Sequence, residues 1–78
     1  MDGRRKLLAN RLEEAVRRTG LSARQVATEA GLAGASITNM IRRLRLGEKE
    51  TVTITTIEAI ATAAKVSPGW LAFGEGSP

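Results

Sequence analysis

Seventy-eight residues are enough for one small domain with a modest core and leave no room for a second. Apolar residues make up 42% and charged residues 26%, the balance of a folded domain rather than a disordered tail. With no Cys and no His, disulfides and Cys- or His-ligated metal sites are excluded. The formal charge is +4, and eleven of the twelve Lys and Arg residues precede Thr51, with only Lys65 after it. That asymmetry points to a polyanionic partner, nucleic acid first.

The elements follow in chain order. Lys6–Thr19 carries Leu8, Leu12, Ala15 and Val16 at the spacing of one helical face, and Gly20 is a stop signal. Ser22 to Gln25 has the capping-box form S-x-x-Q, which satisfies the free amides of a helix start. Ala23, Val26, Ala27 and Ala30 then recur at i, i+3, i+4 and i+7, and Gly31 ends this second helix. A third helix is predicted from near Ala33 to about Leu44, with Ile37, Met40, Ile41 and Leu44 facing inward.

Arg45–Thr55 breaks the helical pattern. Gly47 and its charged neighbours indicate a turn, and the β-type alternation of Val52–Thr55 reads as an extended connection, since a single short strand has no partner. Thr55 to Glu58 has the form T-x-x-E and is predicted to open a fourth helix whose inner face is Ile57, Ile60, Ala61 and Ala64. Ser67-Pro68 pairs a cap with a proline at the first helical position. It starts a fifth helix bearing Trp70, Leu71 and Phe73, followed by a frayed tail, Gly74–Pro78. The prediction is an all-α domain of five short helices covering residues 1–78, with an aliphatic core because there is one Trp, one Phe and no Tyr.

The helices either side of Gly31 form the most specific pattern. Two helices that cross steeply need a small residue at their contact, and Ala27 supplies it. They also need a sharp turn, which Gly31 allows because a left-handed backbone is cheap for glycine alone. Ile37 is the apolar peg that seats the third helix on the second, and Val26, Ala30, Leu32 and Met40 complete the small core between them. With these residues in place, Ala23–Arg42 resembles the twenty-residue helix-turn-helix of the phage-repressor and Cro (Xre-type) family. The resemblance extends over nearly the whole chain, because Trp70-Leu71-Ala72-Phe73-Gly74 is similar to the family's closing W-L-x-x-G.

The resemblance implies a compact five-helix, phage-repressor-like fold. It implies sequence-specific double-stranded DNA binding, with the third helix in the major groove. It further implies a prokaryotic or phage transcriptional regulator, a repressor, acting as a homodimer on a palindromic operator whose half-sites lie about 34 Å apart. No catalysis, metal or cofactor is expected. A cytoplasmic, nucleoid-associated location fits, as no apolar run reaches the about 20 residues of a membrane span and no signal-type apolar core follows Met1–Lys6.

On a helical wheel, Ala35, Thr38, Asn39 and Arg42 fall opposite the apolar side of the third helix. They offer a methyl, a hydroxyl, an amide and a guanidinium, the groups that read base edges: Asn pairs with adenine, Arg with guanine, and methyls meet thymine. Phosphate contacts are expected from Ser22, Arg24, Ser36, Arg43 and Arg45, helped by the amides at the starts of helices two and three. The chain departs from the family where Ala23 replaces a frequent phosphate-binding Gln, and where Ala33, Gly34 and Ala35 replace the usual polar first-turn readers. Readout therefore shifts to Thr38, Asn39 and Arg42, with a share left to DNA shape.

Plainer readings stand beside these. Arg42, Arg43 and Arg45 also suit a solvated helix end, where positive charge complements the dipole. Trp70, by its spacing with Leu71 and Phe73, is read as core. Arg4-Arg5-Lys6 is either a DNA-contacting arm or a solubilising end. Glu13 and Glu14 project about 100° apart on a helix and do not form a paired-carboxylate site. The serines have no His or Lys arranged for catalysis, and no phosphate-cradling glycine loop is present. The competing function is a protein-interaction module, an adaptor or antitoxin-like use of the same helices without DNA readout, whose signature is an exposed apolar patch.

Overall fold

The structure, a computed structural model, describes residues 3–48 and 52–78. Five helices form: α1 Gly3–Thr19, α2 Ala23–Glu29, α3 Ser36–Leu46, α4 Ile54–Ala64 and α5 Pro68–Phe73. No strand occurs among the described residues, and the domain is all-α as expected. α1 packs on α3, α4 and α5, while α2 bridges α3 and α4. No helix among the described residues is long and apolar enough to cross a membrane.

The core is aliphatic and built from small as well as large side chains. Leu12, Ile37, Ile60, Leu71 and Val26 are its largest fully buried members, and Ala9, Ala15, Ala27 and Ala61 let the helices approach closely around them. The predicted inner face of α4, Ile57, Ile60, Ala61 and Ala64, is buried throughout. Trp70 is half-buried and packs against this core, whereas Phe73 is 66% exposed and does not join it. A six-residue helix has one buried stripe, and Leu71 occupies it.

Local chemistry sets most helix ends. Ser22 and Gln25 form the predicted capping box, with Gln25 N–H donating to Ser22 Oγ at 3.1 Å and Ser22 N–H to Gln25 Oε1 at 2.9 Å. α2 closes at Gly31, whose φ is +79°. Gly31 N–H donates to Thr28 O at 3.0 Å and Leu32 N–H to Ala27 O at 2.9 Å, and Leu32 then packs on the core. A Cβ at Gly31 would meet nothing within 4 Å, so a substitution there is penalised by backbone conformation alone. Gly31→Ala should lower stability by about 1–2 kcal/mol, and Gly31→Asn by less, since Asn tolerates this conformation. An unchanged urea midpoint for the alanine variant would rule out the left-handed turn.

Several boundaries differ from expectation. α3 begins at Ser36, not near Ala33. Ala35 takes the cap position without a side-chain hydrogen bond, and Ala33–Ala35 form a turn in which Ser36 N–H donates to Ala33 O at 3.0 Å. The helix also continues to Leu46 before Gly47 turns left-handed, so Arg45 and Leu46 are helical rather than part of the connection. α4 starts at Ile54, capped by Thr53, whose Oγ1 accepts from Thr56 N–H at 3.2 Å. The predicted box at Thr55–Glu58 therefore lies inside the helix. α4 ends without a glycine: Lys65 adopts φ 58° and ψ 43°, which allows Val66 N–H to donate to Ala61 O at 3.0 Å and places Val66 in the core. The backbone of Arg4–Lys6 belongs to α1 and is not an extended arm. The start of the tail is tied back, with Gly74 N–H donating to Trp70 O at 2.7 Å and Glu75 N–H to Gly69 O at 3.4 Å. Beyond Glu75 no backbone hydrogen bond of this kind ties the tail.

Arg11 joins the first helix to the last. Its Nε donates to Leu71 O and its Nη2 to Ala72 O, both at 2.9 Å. These are terminal carbonyls that a short helix leaves without intrahelical partners.

Candidate nucleic-acid interface

α3 divides into two faces. Ile37 is completely buried, Met40 is 7% and Leu44 4% exposed, and these side chains fix the helix on the rest of the molecule. α2 packs on α3, and Ile37 from one and Ala27 and Val26 from the other are fully buried in the same core. Ala30 and Leu32 are half-buried against the same core. Thus the apolar residues predicted to set the α2–α3 pairing are brought together, with Gly31 exposed in the turn between them.

The outer face presents the predicted readers on different flanks. Ala35 is exposed at the helix start. Thr38 and Arg42 are exposed and border a groove of about 560 Å3 between α1, α2 and α3. Asn39 is half-buried on the other flank, where a cavity of about 300 Å3 is lined by Ser36, Arg43, Val52 and Thr56 among others. Arg42 Nη2 crosses between the flanks and donates to Asn39 Oδ1 at 3.3 Å.

The residues expected to touch phosphates have distinct settings. Ser22 Oγ is engaged as the α2 cap, and Arg24 is exposed near the same helix start. The Arg24 guanidinium lies across the turn before α3, so close that a Cβ on Gly34 would collide with Nη1. Nη1 is the far end of a flexible, exposed side chain that can move aside, so this contact does not by itself require glycine at position 34. Ser36 is half-buried and Arg43 exposed along the α3–α4 cavity.

Arg45 is turned towards α1. Its Nη1 donates to Glu13 Oε2 at 3.1 Å, and its Nη2 to Glu13 Oε1 at 2.9 Å and to Asn10 Oδ1 at 3.2 Å. These hydrogen bonds hold the Glu13 carboxyl below the usual carboxylate range and raise the Arg45 guanidinium. A lowered carboxyl pKa means the bridge is in place at neutral pH and opens only as pH falls through that lowered value. Glu14 pairs instead with Arg17, and with Arg18 at 3.9 Å. The two neighbouring glutamates therefore serve different partners.

The charge asymmetry is thus partly internal. Arg17, Arg18 and Arg45 face carboxylates, and Arg11 is used on α5. Among the described residues no carboxylate pairs with Arg24 or Arg42. The groove beside Thr38 and Arg42 was not foreseen: its floor is Val16, Ala23, Ile41 and Leu46, contributed by three helices. Among the described residues no cluster of three acidic side chains could hold a metal ion.

What these features define is a small all-α domain of five helices whose third helix carries an exposed polar and basic strip. Comparison with protein-family models, with curated proteins and with solved structures returned no match.

Proposed function

We propose that this chain is a sequence-specific double-stranded-DNA-binding domain of a prokaryotic or phage transcriptional regulator, a repressor of the phage-repressor and Cro (Xre-type) helix-turn-helix class. The observation that carries this reading is α3 itself. Buried Ile37, Met40 and Leu44 anchor one side, while Thr38 and Arg42 are exposed on the other and Arg24 is exposed at the start of α2. An α-helix so presented fits the major groove of B-DNA. Ser22, Arg24, Ser36 and Arg43 border it and supply backbone contacts. Ala35, Thr38, Asn39 and Arg42 make up the reading face. Two copies bind a palindromic operator as a homodimer, with recognition helices about 34 Å apart. The protein works in the cytoplasm on nucleoid DNA and needs neither cofactor nor metal, and it catalyses no reaction.

Fluorescence anisotropy with a random duplex at two salt concentrations tests the reading. Log affinity should fall by about 0.9 per phosphate contact for each tenfold rise in salt. Arg24→Ala should weaken all sequences alike, whereas Arg42→Ala should relax preference at particular bases. Affinity that is absent or indifferent to salt refutes the reading. Glu13→Gln adds a separate expectation. Removing its charge releases Arg45 and relieves repulsion of phosphate, so random-duplex affinity should rise and its salt dependence steepen by about one contact. Equal affinity in wild type and Glu13→Gln would show that Arg45 lies outside the interface.

One observation favours a second reading, a protein-interaction module. The groove floor of Val16, Ala23, Ile41 and Leu46 is apolar and open, as a partner's side chain requires. In that reading duplex DNA does not bind, and Leu46→Glu abolishes the partner contact without unfolding the domain, because Leu46 is 66% exposed.

A further inference from the structure

We infer that Asn39 is a positioning residue for Arg42 and that the base the pair specifies is guanine, not adenine; the inference rests on the DNA-binding reading above and deepens it. An asparagine on a recognition helix reads adenine by using both ends of its amide, Nδ2 donating to N7 and Oδ1 accepting from the N6 amine. Here Oδ1 is already engaged, because Arg42 Nη2 donates to it at 3.3 Å. A guanidinium only donates, so the amide oxygen must be the atom that faces it. The geometry also separates the two residues by exposure. Asn39 is half-buried on the flank towards Val52 and Thr56, and Arg42 is exposed.

Two physical consequences follow. First, the bond restrains a long, flexible side chain in one direction, which lowers the entropy lost when its fork meets a base. The other N–H groups of Arg42 remain available for guanine O6 and N7, the acceptor pair that a guanidinium matches. Second, the pair as a unit is cationic and mainly donating. Brought to adenine or cytosine it faces an exocyclic amine, which is itself a donor and repels it. Oδ1 keeps a second lone pair, but aiming the half-buried amide at adenine would compete with the bond to Arg42 that guides that charge. Asn39 therefore acts through Arg42 rather than on a base of its own.

Selection from a random duplex pool, run on the full chain with wild type, Asn39→Ala, Asn39→Asp, Arg42→Ala and the double variant Asn39→Ala with Arg42→Ala, decides the matter. Wild type should enrich a guanine that Arg42→Ala loses. Asn39→Ala should reduce preference at that same base pair by about two- to tenfold, and the double variant should be no worse there than Arg42→Ala alone. Asn39→Asp retains an acceptor for the guanidinium, so the guanine preference should persist even as added negative charge lowers affinity for every sequence. The inference is overturned if Asn39→Ala relaxes an adenine position and leaves the guanine intact. It is equally overturned if Asn39→Asp moves a preference from adenine to cytosine, the base whose amine a carboxylate accepts. A wild-type pool that enriches no sequence overturns the DNA-binding reading itself, an outcome distinct from both.

Discussion

Ile37→Ala should cost about 2–5 kcal/mol of folding stability, and Ile37→Val only about 0.5–1.5. The side chain is completely buried and belongs to the helix that must be held at a fixed angle to α2. Truncation removes its contacts and leaves a cavity, because interdigitated neighbours relax only in part. At roughly 0.05–0.15 kcal/mol per residue, that loss is a large fraction of the total stability of a 78-residue domain, so the urea midpoint of the alanine variant should fall steeply. Urea denaturation followed by far-UV circular dichroism measures the loss. Emission from Trp70, the single Trp of the chain and one that packs on the core, gives an independent probe. A midpoint near wild type for Ile37→Ala would mean that position 37 does not carry the α2–α3 contact.

Arg11→Met should cost about 1–3 kcal/mol, the order expected when a charged donor is removed and two part-buried carbonyls lose their partner. Methionine retains most of the aliphatic stem, so the loss reports the two bonds to Leu71 O and Ala72 O more than packing. Arg11→Lys should recover little, because an ammonium is a point charge without the guanidinium's fork. Burial lowers the guanidinium's proton affinity, yet arginine remains charged at any ordinary pH, and the contribution should be flat from mildly acidic to mildly basic solution. Hydrogen exchange is the sharper measurement: amides of α5 should lose protection before those of α3. Uniform protection in Arg11→Met would show that α5 is held by Leu71 and Trp70 alone.

Those two positions illustrate what a sequence reveals and what it conceals. Ile37 was legible because helical periodicity is a local property, and the same holds for the Ser22–Gln25 capping box and the Ser67-Pro68 start. Arg11 was not. It appeared as one more positive charge in a basic half, and its partners lie 60 and 61 residues away, beyond any periodic pattern. The pairing of Arg45 was hidden for the same reason, since Glu13 is 32 residues distant. The start of α4 offered two threonines two residues apart, both competent caps, and local chemistry does not choose between them. Its end was hidden because Lys65 takes a left-handed conformation without glycine, where Val66 enters the core. Of the candidate interface, the residues of the exposed strip were legible from the wheel. The Arg42–Asn39 bond and the apolar groove were not, since they depend on rotamers and on three helices meeting.

On the DNA-binding reading proposed above, the bidentate hold of Arg45 on Glu13 has a consequence for the thermodynamics of recognition. Eleven residues are too few to remain helical alone in water, and a free segment of that length would have to order itself on its target. Here α3 is fastened by buried side chains on its inner face and to α1 near its end, so its ordering cost is met during folding. Binding through it then resembles docking of a rigid body, and affinity differences among targets reflect the contacts themselves rather than the propensity of the helix to form.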